Sequence, residues 1–140
     1  MVFNLKRVAV LLLTAGTSLA AEPVITCEPR ELRGVTGEPL RLEISVETDH
    51  AVPIQLKIPH INLLHLNTVE KVPIQRAASG RYIQKRTIFW QGLESGQTTI
   101  TNLTVLFQGS ENSSQEVPDI EIIIEEVKAA EPPIEAQEEE

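Results

Sequence analysis

Between residues 24 and 128 apolar and polar side chains alternate with a period of two, turn residues interrupt them at short intervals, and no stretch carries an apolar stripe of helical spacing. Alternation of this kind predicts half-buried strands with one face in a core and one in solvent. The clearest is 40–47, where Leu40, Leu42, Ile44 and Val46 share one face and Arg41, Glu43, Ser45 and Glu47 the other. Turn chemistry at Gly37-Glu38-Pro39 precedes it, so 24–33 is the expected first strand, bent at Pro29 or held there to an edge. Pro53, Pro59 and Pro73 cut the middle into the apolar pieces 54–58, 61–66 and 69–74, expected as edge strands or connections because proline cannot donate to a ladder. The piece 61–66 reads as a segment crossing between sheets, with a single helical turn as the alternative. Residues 81–91, rich in aromatic and β-branched types, predict a strand. A turn at 93–97 follows, then a strand over 98–108 with Leu103, Val105 and Phe107 inward, a polar loop over 109–114, and a last strand with Ile120, Ile122 and Ile124 on one face. The pattern predicts an all-β chain folded as an antiparallel sandwich of about seven strands. Its core is expected around Tyr82, Phe89, Trp90 and Phe107, which are four of the five aromatics.

The ends read differently. Lys6 and Arg7 followed by the apolar run 8–13 and by Ser18-Leu19-Ala20 have the form of an export signal cleaved behind Ala20. Thr14, Gly16, Thr17 and Ser18 break the apolar stretch, which is shorter than the ~20 residues of a spanning helix. The expected organisation is a signal peptide over 1–20, one sandwich domain over 21–128 and a disordered acidic tail over 129–140. A mature chain of 120 residues suits one hydrophobic core. Without Lys6 and Arg7, ten basic residues face twenty acidic ones, a net charge of −10 that disfavours nucleic acid and anionic lipid as partners. No later segment is apolar enough to span a bilayer, so a periplasmic or secreted protein with no stable membrane anchor after cleavage is expected.

Chemistry-bearing groups are sparse. Cys27 is the only cysteine, which excludes an intramolecular disulfide. It reads as a small buried hydrophobe, against a lipid-modified thiol or one pairing with another chain. His60 and His65 are separated by an odd offset, which on a strand sends them to opposite faces, and His50 stands apart. Neither a resident metal nor a cofactor is expected. Carboxylate pairs such as Asp119 with Glu121, or Glu43 with Glu47, could in principle serve a small secreted hydrolase, yet they lie on solvated strand faces. That reading and an extracytoplasmic metal carrier are the alternatives to a non-catalytic protein with no catalytic residues. Asn102-Leu103-Thr104 and Asn112-Ser113-Ser114 match a short glycosylation pattern that carries little information. The proline-cut pieces leave two readings open. They form an edge at which another protein's strand adds, with Ile54, Leu56 and Ile58 as the candidate partner-binding edge, or the prolines are there to block such pairing.

The segments Cys27-Glu28-Pro29-Arg30-Glu31-Leu32, Gly37-Glu38-Pro39-Leu40 running on to Val46, Gly80-Arg81-Tyr82 running on to Trp90, Leu93-Glu94-Ser95-Gly96 and 100–107 resemble, in this order, the immunoglobulin-like modules of BatD-type aerotolerance proteins of bacterial envelopes. The resemblance covers about two thirds of the mature chain. It implies an immunoglobulin-like sandwich without catalytic residues that contacts an envelope protein, often beside von Willebrand-type domain proteins. One module and no C-terminal membrane helix are expected here, whereas fuller members carry several modules and an anchor.

Expressed with its own leader in a bacterial host, the exported chain is expected to begin at Ala21. N-terminal sequencing of the periplasmic fraction checks this, and a chain beginning at Met1 there would refute cleavage.

Overall fold

Ten β-segments, and no helix, form among the residues that the computed structural model describes, 22–109 and 113–127. The expected signal peptide, acidic tail and residues 110–112 of the expected polar loop lie outside the described residues. The segments are β1 (Val24–Glu28), β2 (Glu31–Val35), β3 (Pro39–Thr48), β4 (Ile54–Lys57), β5 (Leu64–Arg76), β6 (Tyr82–Gly92), β7 (Gly96–Ile100), β8 (Thr104–Phe107), β9 (Ser113–Glu116) and β10 (Ile120–Glu125).

The first layer is a four-stranded antiparallel sheet in the order β1-β3-β6-β5. Its centre is the ten-residue pairing of β3 with β6, in which Leu40 faces Trp90, Leu42 faces Ile88, Ile44 faces Arg86 and Val46 faces Gln84. Opposite residues share a face, so the alternation along β3 sends Leu40, Leu42, Ile44 and Val46 inward together with Trp90 and Ile88. All six are buried.

Two three-stranded pieces, β2-β10-β7 and β4-β8-β9, make the second layer. They are one sheet interrupted in the middle. Ile100 faces Ile120 and Thr104 faces Glu116, four residues onward on one side and four back on the other, so the register passes through the break unchanged. Val117 N–H, donating to Leu103 O at 2.8 Å, holds the β7–β8 and β9–β10 stretches together inside it. Pro118, which has no N–H, accounts for the lapse in the ladder. The first strand divides in the same way at Pro29, where the Glu28–Pro29 peptide is cis. Before it β1 pairs with β3 in the first layer, and after it β2 pairs with β10 in the second. The ten segments therefore reduce to seven runs, because β1–β2, β7–β8 and β9–β10 are each one run broken once.

A layer ordered β1-β3-β6-β5 facing one that carries β4, the β7–β8 run and the β9–β10 run is the strand order of the immunoglobulin sandwich. One aliphatic core joins the layers, drawing Ile25 from β1, Leu32 from β2, Ile54 from β4, Val105 from β8 and Ile122 from β10. Of the four aromatics, only Trp90 and Phe107 are buried in it; Tyr82 and Phe89 are half-buried.

Several local expectations are corrected. β2 runs parallel to β10, so the sandwich is not wholly antiparallel. The piece 69–74 and the end of 61–66, from Leu64 onward, merge into the 13-residue β5, while Ile61, Asn62 and Leu63 make a turn closed by Leu64 N–H donating to Ile61 O at 3.0 Å. β5 takes Pro73 because an edge strand has one side that owes no hydrogen bond. Register shifts interrupt its pairing with β6 between Leu66 and Thr68 and between Val72 and Gln75. Ser113 and Ser114 belong to strand β9 and not to a loop.

Leu42 has no exposed surface, so Leu42→Ala should cost about 2–5 kcal/mol of unfolding free energy. Leu93→Ala, at a turn residue 55% exposed, should change it by about 0.5 kcal/mol or less. Urea titration followed by tryptophan fluorescence of Trp90 measures both.

Candidate functional site

The groups that could carry chemistry are dispersed by the fold. His50, His60 and His65 are all exposed, on the turn after β3, on the β4–β5 connection and on β5. No three His, Cys, Asp or Glu side chains come together as a ligand set among the described residues. Glu121 accepts a hydrogen bond from Thr99 Oγ1 at 3.2 Å, and the backbone oxygen of Asp119 accepts one from Arg30 Nε at 3.0 Å. Glu47 forms an ion pair with Arg81 at 2.9 Å. Asn102 lies exposed in the break between β7 and β8 and not within a strand, and Asn112 is outside the described residues.

Cys27 is buried on β1, where its alternation with Ile25 directs it to the core. Loss of hydration pushes its thiol pKa up, and the nearby Arg30 charge only partly opposes this. A thiol so placed is a poor nucleophile.

β4 lies at an edge and, among the described residues, pairs with β8 alone. Its apolar side chains nevertheless point inward: Ile54 is buried, and Leu56 and Ile58, the latter just beyond the strand, pack half-buried against the core. A partner approaching this edge would meet backbone with Gln55 and Lys57 beside it, not the three apolar side chains. Ile54→Lys would consequently place a charge in the core and report on folding.

The flank between the edge strands β4 and β5 holds a more specific arrangement. β4 has four residues and β5 thirteen, so among the described residues much of the inner face of β5 has no strand opposite it. By register Leu66 faces Trp90, Val69 faces Ile88 and Lys71 faces Arg86, which puts all three on the inward side of the sheet. Leu66 and Val69 are still 41% exposed there. Beside them opens a cleft of about 470 Å³ between the 51–53 connection and the 71–74 stretch of β5, floored by Gln84 and Arg86 of β6.

Arg86 is 7% exposed. Its guanidinium donates to Lys85 O at 3.1 Å and to Ile54 O at 3.4 Å, both backbone carbonyls. No carboxylate lies within ion-pair distance of it among the described residues, and burial alone pulls its pKa below the ordinary arginine value. It stays cationic all the same, since an arginine does not lose its proton in a protein. Arg81, just before the start of β6, is different: Glu47 and Asp49 hold it at 2.9 and 2.7 Å. Lys71, directly across from Arg86, adds a second positive charge to the cleft where the cross-strand rule favours an opposite one. Gln84 donates from Nε2 to Val52 O at 2.6 Å, tying the cleft floor to its wall.

The edge expected from the sequence, Ile54, Leu56 and Ile58, does not include Lys71, Gln84 or Arg86. A signal was present. Gln84 and Arg86 share parity with Ile88 and Trp90, so two polar side chains stand at core-facing positions of a strand otherwise patterned for burial.

No protein-family model matches the chain, and no curated protein matches it in sequence. Among solved structures it is similar to the BIgI domain of beta protein from S. agalactiae, solved bound to CEACAM1, at 12% identity and a TM-score of 0.43 over 76% of this chain and 100% of that one. Strand order and register alone define the immunoglobulin-like sandwich.

Cys27 should resist a disulfide reagent in the folded protein at pH 8 and react stoichiometrically in urea, read as released chromophore. Its raised pKa also sets a sign. Above the ordinary thiol value, about pH 8.5, the unfolded chain has released a proton that the folded chain retains, so stability should fall as pH rises through that range. Cys27→Ser should remove that part of the slope in denaturation curves taken from pH 7 to 10.

Proposed function

We propose that the chain is an exported, non-catalytic immunoglobulin-like module that binds another protein of a bacterial envelope and helps assemble a complex there, as its resemblance to BatD-type modules implies. The observation that carries this reading is β5, a 13-residue edge strand paired on one side only among the described residues, with Leu66, Val69 and Ile74 exposed along it. Monomeric proteins shield long edges because unpaired backbone and apolar side chains together invite another strand. β5 has partial shielding, from Pro73 and its two register shifts, yet keeps the run 68–72 in regular pairing with β6. An extended segment of a partner could add there through main-chain hydrogen bonds and set its apolar side chains against Leu66 and Val69. The signal pattern over 1–20 supports the compartment, and the net charge of −10 that remains without it supports a protein partner over nucleic acid.

The double substitution Leu66→Lys with Val69→Lys should leave unfolding free energy within about 1 kcal/mol of the parent. Binding to a protein recovered from envelope extract by the parent chain should weaken by at least about tenfold, a loss of about 1.4 kcal/mol. Surface plasmon resonance against the recovered protein measures it. Unchanged affinity would remove β5 as the contact, and a parent chain that retains no envelope protein would remove the binding reading itself.

A further inference from the structure

We infer that the cleft between β4 and β5 is a carboxylate-binding site, in which the Arg86 guanidinium and the Lys71 ammonium receive an acidic side chain or terminal carboxylate presented by an extended protein segment.

Three independent observations converge on it. Arg86 is a fixed, almost fully buried cation whose hydrogen bonds go to backbone carbonyls, with no carboxylate partner among the described residues. Burying a charge without a counter-charge is costly, and proteins retain such an arrangement where a ligand supplies the missing half. Lys71 stands opposite Arg86 on the same face, so the fold adds a like charge where it would be expected to relieve one. The two cations line an open cavity of about 470 Å³, room for a side chain and its neighbours. The chemistry is specific as well: a planar guanidinium matches a planar carboxylate through paired N–H donors, and Lys71 contributes a mobile second charge at the rim.

The walls identify the carrier. Val52, Pro53, Val72, Pro73 and Ile74 surround the cations with apolar surface, which a small hydrated anion would not use. The cleft also opens beside the β5 edge, so a strand lying along that edge would bring its side chains to the cleft mouth. The source of the carboxylate thus rests on the edge-binding reading; the anion chemistry of the cleft does not.

The experiment uses the isotope-labelled chain and three probes: a capped valine-glutamate-valine peptide, its glutamine counterpart, and acetate. The glutamate peptide should shift the side-chain NMR signals of Gln84 and Arg86 and bind at least about tenfold more tightly than the glutamine peptide. Lys71→Gln, at an exposed position, should keep the parent spectrum and reduce that preference by about threefold or more. Arg86→Met should abolish the preference while melting no lower than the parent, because an unpaired buried charge has been removed. Equal binding of the two peptides, shifts confined to other residues, or a preference that survives Arg86→Met would overturn the proposal. Acetate saturating the same signals as tightly as the peptide would overturn the protein source and leave a site for free carboxylates. Capture of an envelope protein without any glutamate preference would sink the carboxylate site alone, and a glutamate preference without a captured protein would sink the edge reading alone.

Discussion

The register of β3 on β6 is the constraint from which the other strand positions follow. With Leu42 opposite Ile88 and Leu40 opposite Trp90, the largest inward side chains of both strands lie on one face, and a slip of one residue would turn that whole set to solvent. β1 then pairs with the free side of β3 and β5 with the free side of β6, which completes the first layer. The second layer supplies Leu32, Ile54, Val105 and Ile122 to the same interior. Apolar surface leaving water drives this association, and the alternation along each strand gives it direction.

The same register places the cleft. Because β6 is held to β3 at Leu42 and Ile88, Arg86 must face Ile44 and Gln84 must face Val46, two polar side chains on the inner face of a sandwich. A closed sandwich could not hold them there. This one does because the second layer stops early on that side, where β4 is bounded by Pro53 and Pro59 and spans four residues against the thirteen of β5. The cations occupy the resulting opening, with low-dielectric walls around them that strengthen their field on any anion that enters. Shape and charge at this flank thus have a single origin, the unequal lengths of two edge strands.

Legibility followed periodicity. β3, the inward set Leu103, Val105 and Phe107, and the set Ile120, Ile122 and Ile124 were readable because a regular two-residue period needs only local information. β5 reads in the sequence as two pieces, 61–66 and 69–74, parted at the polar Asn67-Thr68, and its one proline, Pro73, argues for a break. Proline interrupts an inner strand and is tolerated on an edge, and which of these applies depends on the neighbours. β9, Ser-Ser-Gln-Glu, has almost no strand signal of its own and is ordered through its pairing with β8. The parallel pairing of β2 with β10 joins segments some ninety residues apart, which no window along the chain can reveal. Of the candidate edge residues, Ile54 and Leu56 lie on the edge strand β4 and Ile58 just beyond it, and all three side chains face the core.

Alternating side chains by themselves determined that this chain is all-β, which residues of its regular strands face inward, and that a sandwich of about seven runs is its economical solution, because burial on one face depends only on local parity. Tertiary structure alone decided which strands are edges, where the first run crosses between layers, and that Lys71 and Arg86 face each other across a cleft with no counter-charge beside them among the described residues. Those outcomes depend on pairing between distant segments and on the mismatch in length between β4 and β5, and electrostatic isolation is a property of a neighbourhood that exists only once the layers have closed.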